Sequence, residues 1–251
     1  MAERATRNQT TENWPTLYRW GQGDGLTPLM WRKVEAGKSP APLKAENVPP
    51  WFPTGKPEEP FRFCLAMEKL VTAICAGCDE LNHINASKLF FSVCQARSTD
   101  RHGLQARVTP LRFQDGSPDM LRRGVRYAVQ RHEVNGTEKL YQVTFCLPRF
   151  QNQSFDEKMI TVFHELYHIG TKCNGDLRRM AGRCHAHSHS QNHYDAHMAA
   201  LARFWLATRP DPLIYNFLRL DFWQLQARHG SVWGVFVPRP RLIPVAETPL
   251  P

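Results

Sequence analysis

The sequence predicts an α+β fold in which a backing helix and several short strands precede a second helix that carries histidine and glutamate at metal-binding spacing. Three observations carry that expectation: helical periodicity over residues 61–81, four short segments rich in β-branched and aromatic residues between 88 and 146, and a capping signal at Ser154. With 251 residues, the chain is long enough for one such domain with appendages.

Residues 1–60 read as an irregular arm. The first 25 or so are polar without a clear period, and prolines stand at 40, 42, 49, 50, 53, 57 and 60. A proline ring fixes φ and removes a backbone donor, so neither a helix nor a central strand propagates through such a stretch. Trp14, Trp20, Trp31 and Trp51 would be the anchors that dock the arm. The compact domain is expected over 61–230, and 231–251, with prolines at 238, 240, 244, 249 and 251, as an extended tail.

Within the domain, Phe63, Met67, Leu70, Val71, Ile74 and Cys78 recur at three- and four-residue steps, which marks an amphipathic helix suited to cover a sheet. Residues 88–94, 104–109, 123–131 and 139–146 read as strands of a small, mostly antiparallel sheet, with a hairpin across Asn135-Gly136. Ser154-Phe155-Asp156-Glu157 has the Ser-x-x-Glu form of a capping box. Phe155, Met159, Val162, Phe163, Leu166 and Ile169 supply the apolar stripe of the helix it starts, and Gly170 is placed to end it. A polar stretch follows before helical spacing resumes from Tyr194 to Leu206, closed by Pro210 and Pro212, and one more helix is expected over 213–227.

Composition narrows the function classes. No window approaches the run of about 18 apolar residues that a membrane span needs. The polar residues after Met1 lack the apolar core of a secretory signal. Seven cysteines form an odd set without the dense spacing of a disulfide scaffold, which fits reduced thiols in the cytoplasm. Cys75-Ala-Gly-Cys78 falls in the helix-like run with no second such pair, so it reads as packed thiols. The net charge is +9, and residues 171–251 hold 10 Lys/Arg against 5 Asp/Glu, a surplus that admits nucleic acid as a partner as well as a solvated basic surface.

The chemistry concentrates in His164-Glu165-Leu166-Tyr167-His168. Two histidines four apart on a helix project from one face and can share an ion. The glutamate beside the first is placed to act as general base on water at that ion, which is the logic of the HExxH pattern. Seven of the 11 histidines lie between 164 and 197. Catalytic zinc takes three protein ligands and keeps a position open. The extension HxxGxxH is absent, because Gly170 follows His168 by two residues and Asn174 is not histidine. The third ligand is then one of His185, His187, His189, His193 or Asp195, all downstream.

Over roughly residues 140–208 the chain resembles the phage and bacterial zinc metallopeptidase family, with a looser likeness to SprT-like proteases. The resemblance rests on Phe163-His164-Glu165-Leu166-Tyr167-His168-Ile169, Gly175-Asp176-Leu177-Arg178-Arg179, Gly182-Arg183, Ala186-His187 and Tyr194-Asp195. It implies a zincin-like domain with an HExxH active-site helix, a Zn2+ cofactor, and His187 as third ligand beside His164 and His168. It implies also a peptidase in which Glu165 is the catalytic base, acting on a peptide or protein substrate. Tyr194, His193, Arg178 and Arg179 are candidate donors to an oxyanion, and Asp195 can orient a ligand imidazole. Two other functions fit the same residues: a DNA-associated protease of the SprT-like kind, and a non-catalytic zinc-stabilised binding module closed by a fourth ligand such as His189.

Overall fold

The computed structural model describes residues 16–21, 54–56, 59–96, 103–179 and 191–245. Its centre is a mixed sheet with spatial order β1 (Thr16–Gly21), β10 (Ser231–Phe236), β3 (Leu89–Gln95), β9 (Tyr141–Leu147) and β4 (Ala106–Pro110); the short β2 (Phe61–Arg62) also pairs with β10. Two satellites complete the strands. One joins β5 (Asp119–Arg122), β6 (Val125–Val129) and β11 (Leu242–Pro244), and the other is the hairpin β7 (His132–Val134) and β8 (Thr137–Lys139). Asn135 and Gly136 at its turn have φ of 50° and 71°, the left-handed pair that a two-residue turn of this hand requires.

Five of the eight strand pairings are antiparallel, but the middle of the main sheet is not. β3 and β9 run parallel from Leu89↔Tyr141 to Gln95↔Leu147. A parallel pair needs a long crossover, here everything between residues 96 and 140, and no local signal announces it.

That register gives the sheet two unlike faces. Phe91, Val93, Val143, Phe145, Ala106 and Val108 share one face, all buried. Helix α1 (Phe63–Gly77) covers it, with Phe63 set edge-on to Phe145 at 5.8 Å. The six apolar positions expected of this helix are all in the core, Cys78 as its C-cap, and the other five are each worth about 1.5–3 kcal/mol of transfer free energy when fully buried. The other face carries Ser92, Cys94, Gln142, Thr144 and Cys146. Here Ser92 and Thr144 share a 2.9 Å hydrogen bond, and Gln142 Nε2 donates to Ser92 Oγ (3.1 Å) and Val237 O (2.8 Å).

Parts of the two expected extensions belong to this sheet. Residues 16–21, inside the arm expected to be irregular, form β1, and Trp20 is buried edge-on against Phe222 at 5.8 Å. Trp14, Trp31 and Trp51 lie outside the described residues. Residues 231–236, at the head of the expected tail, form β10, next to β3 in the sheet. Gly234 hides the strand from a pattern search, yet a Cβ there would meet Val93 Cγ2 at 2.6 Å, so only glycine fits the approach.

Helix α3 (Gln191–Ala207) buries Met198, Leu201 and Trp205, as its spacing predicts. The helix expected over 213–227 is broken into α4 (Pro212–Tyr215), a 3-10 turn over Asn216–Arg219, and α5 (Phe222–His229). The break has a non-local cause. Lys158 Nζ takes Leu218 O (2.9 Å) and Leu220 O (2.7 Å), Gln151 Nε2 takes Phe217 O and Leu220 O (both 2.7 Å), and Asp221 then caps a new helix. No helix among the described residues is long and apolar enough to cross a membrane.

Candidate active site

Helix α2 (Phe155–Tyr167) starts at the capping box expected of Ser154: Glu157 N donates to Ser154 Oγ (3.3 Å) and Ser154 N to Glu157 Oε2 (2.7 Å). Met159, Val162, Phe163 and Leu166 bury one side of it. The opposite side, at the same three- and four-residue spacing, is a row of Glu157, Ile160, Thr161, His164, Glu165 and His168, all lining one cleft of about 610 Å³. One helix thus anchors itself with one stripe and presents chemistry with the other.

The helix does not end by a left-handed glycine. His168 caps it with helical φ and ψ, and Gly170 serves a close approach instead: a Cβ there would sit 2.8 Å from Asp176 O. Gly170 N donates to that oxygen (3.1 Å), Arg178 N donates to His168 O (2.7 Å), and Ile169 bridges Leu177. Asp176 fixes the returning loop by accepting from Leu177 N and Asp115 N (both 2.8 Å). The loop carries Leu177 and Arg178 to the rim of the cleft, with Arg178 lying 3.9 Å over the Tyr167 ring.

The facing wall is β4, the edge strand of the main sheet. Cys146 N donates to Gln105 O, so residues 105, 107 and 109 turn their backbone groups toward β9. The backbone groups of Ala106 and Val108 therefore face the cleft, and Glu165 Oε2 accepts from Val108 N at 2.7 Å. Burial pushes the Glu165 carboxyl up to about 7, against the pull of the Val108 amide and the nearby Arg107 guanidinium. Burial lowers the Arg107 guanidinium in turn, helped by Arg239.

The His164 and His168 rings lie 4.7 Å apart, edge to face. Tyr194, buried at the start of α3, sets its ring 4.8 Å from that of His164 and stacks on His168 at 6.2 Å. Burial raises its phenol above the ordinary tyrosine value. Asp195 Oδ1 stands 3.7 Å from His164 Nδ1, longer than a hydrogen bond but close enough for attraction once the ring is charged.

His164, Glu165 and His168 thus come together as their spacing predicts, with Tyr194, Asp195 and Arg178 around them. Arg179 pairs instead with Asp176 (3.4 Å). His197 turns to Glu80 (3.0 Å) and the Tyr167 ring. His187, His185 and His189 lie outside the described residues, and so does the side chain of His193. Among the described residues, no three or more His, Cys, Asp or Glu side chains gather closely enough to hold a metal. The donor set among the described residues is two neighbouring imidazoles with a carboxylate behind one of them, which suits a borderline-soft ion such as zinc with a further ligand supplied from elsewhere.

Sequence reasoning missed the β4 wall, the Val108 amide and Arg107. Their place depends on strand register across the 30 residues, 111–140, between β4 and β9, for which the sequence carries no local mark. Comparison of the chain with protein-family models, with curated proteins and with solved structures finds no match.

Proposed function

We propose that the chain is a zinc-dependent metallopeptidase of zincin-like architecture that hydrolyses peptide bonds. The observation that carries this reading is the single cleft in which His164 and His168 lie ring to ring while Glu165 reaches across to the edge strand. His164, His168 and His187 are the residues that would hold the ion. When bound, zinc supplies Lewis acidity toward water and toward the scissile carbonyl.

The remaining work belongs to the chain. β4 takes an extended substrate by main-chain pairing through the backbone groups of Ala106 and the carbonyl of Val108, whose amide is held by Glu165. Glu165 keeps Oε2 on the Val108 amide and uses Oε1 to accept the proton of the attacking water, then returns it to the leaving amine nitrogen. Asp195 orients the His164 ring through Nδ1. We place this activity in the cytoplasm, where an odd set of thiols stays reduced.

The test is Glu165→Gln. It is expected to keep zinc, measured by metal analysis of the dialysed protein, while cleavage of a denatured protein substrate falls by about 10²–10⁴-fold. Full activity in that variant removes Glu165 as the base. His164→Ala is expected to abolish zinc retention, and His187→Ala to lower it far more than His185→Ala does. Equal retention in the last two rejects His187 as ligand.

A further inference from the structure

On the polar face of the sheet, Cys94 of β3 and Cys146 of β9 stand directly opposite each other. Their sulfurs are 2.6 Å apart, about half an ångström beyond a covalent S–S bond of about 2.05 Å. We propose that Cys94 and Cys146 are a reversible dithiol/disulfide modification site, oxidised by a low-molecular-weight disulfide. The proposal does not depend on the hydrolase reading.

The surroundings differ from those of the other described thiols. Cys75 lies in the apolar core of α1, where burial pushes its thiol up to about 12, and burial likewise lifts Cys64 to about 11. Neither is suited to attack, because the thiolate is the nucleophile. At Cys94 the balance reverses. The contact with the Cys146 sulfur, together with the Arg107 and Arg149 guanidiniums, draws the thiol below its ordinary value despite burial. Cys94 is also the more exposed of the two, Cys146 being buried. The same pair of cations disfavours a metal ion at these sulfurs, so two thiolates here are better matched to disulfide exchange than to metal ligation.

The exchange balances without any other reagent. The Cys94 thiolate attacks one sulfur of the small disulfide, forming a mixed disulfide and expelling one small thiolate. The Cys146 thiolate then attacks the Cys94 sulfur, closing the β3–β9 bond and expelling the second. The two protons lost by the cysteines end on the two small thiols. The protein gives up two electrons and the small disulfide gains them.

Peptide mapping tests this on the full-length protein. After incubation with oxidised glutathione, remaining thiols are blocked in denaturant and the protein is digested. The expected dominant cross-link joins the peptide containing Cys94 to the peptide containing Cys146, and it disappears on reduction. Cys146→Ser is expected to trap one glutathionyl adduct on Cys94, whereas Cys94→Ser leaves Cys146 unmodified. Recovery of both cysteines as blocked thiols after oxidation overturns the proposal, as does a cross-link that joins either of them mainly to another cysteine. An adduct on Cys146 in Cys94→Ser, with none on Cys94 in Cys146→Ser, overturns the assigned order of attack.

Discussion

From Ser154 to Phe163, α2 is fixed by means open to any helix: a reciprocal cap, an apolar stripe and one buried lysine that ties it to the carbonyls of residues 218 and 220. From His164 to His168 the same helix is steadied by aromatic rings from α3 and by one amide from β4. The first half is over-determined by local and core interactions. The second half depends on partners brought from elsewhere in the chain, so its geometry can be disturbed while the helix survives.

The largest effect expected from breaking this division is at Tyr194. Tyr194→Ala removes the ring that touches both imidazoles and opens a cavity in a buried aromatic cluster, with an expected loss of about 3–5 kcal/mol of stability by analogy with other large aromatic truncations. Tyr194→Phe keeps the packing and is expected to retain nearly all of it. Under the metallopeptidase reading, zinc retention follows the same order, with the alanine variant weaker than the phenylalanine variant. Chemical denaturation together with metal analysis checks both, and equal zinc retention in the two variants shows that the ring does not hold the imidazoles.

A smaller effect is expected at Lys158, in the half of the helix that the fold controls. Lys158→Met preserves length but withdraws a donor from Leu218 O and one of two from Leu220 O, an expected cost of about 1–3 kcal/mol at pH 8.5. The pH dependence has a definite sign. Burial pushes the Lys158 amine down to about 7, whereas in the unfolded chain it returns to the ordinary lysine value near 10.5. Between those values the unfolded state binds the extra proton, so the lysine's contribution to stability rises with pH across that window and is lost as pH falls through 7. The stability gap between wild type and Lys158→Met should therefore widen from pH 7 to pH 10 and narrow on acidification. A gap that does not change with pH means that the amine is not desolvated as its contacts imply.

What could be read from the sequence follows the same division. The cap at Ser154, the core stripe and the shared face of His164 and His168 are all local, three or four residues apart, and the structure places each as expected. The opposite wall of the cleft is not local. Val108 meets Glu165 only because β4 joins β9 in one register, and β9 joins β3 through a parallel crossover that hydropathy does not mark. The cysteines teach the same lesson. Cys75 and Cys78 attract notice because they stand three positions apart in sequence, yet the thiols in contact are Cys94 and Cys146, 52 positions apart. The break at residues 220–221 is equally invisible from its own segment, since the donors that capture its carbonyls come from Gln151 and Lys158.

The smallest effect sharpens the comparison most cleanly. Ser154→Ala removes the acceptor for Glu157 N and frees the reciprocal partner of Ser154 N, at an expected cost of about 1 kcal/mol. Ser154→Asp should recover most of it, because a carboxylate at that position accepts the same amide and also favours the positive end of the helix. Glu157, the partner in the cap, lines the cleft only at its far end, and His164 lies nearly three turns from Ser154 along a helix pinned by Met159, Val162 and Phe163. Under the metallopeptidase reading, zinc content and cleavage rate should therefore stay at wild-type levels while the urea midpoint moves. If activity falls in step with the midpoint, the last turn of α2 is not held independently of the first, and the rings of α3 are passengers on the helix instead of its support.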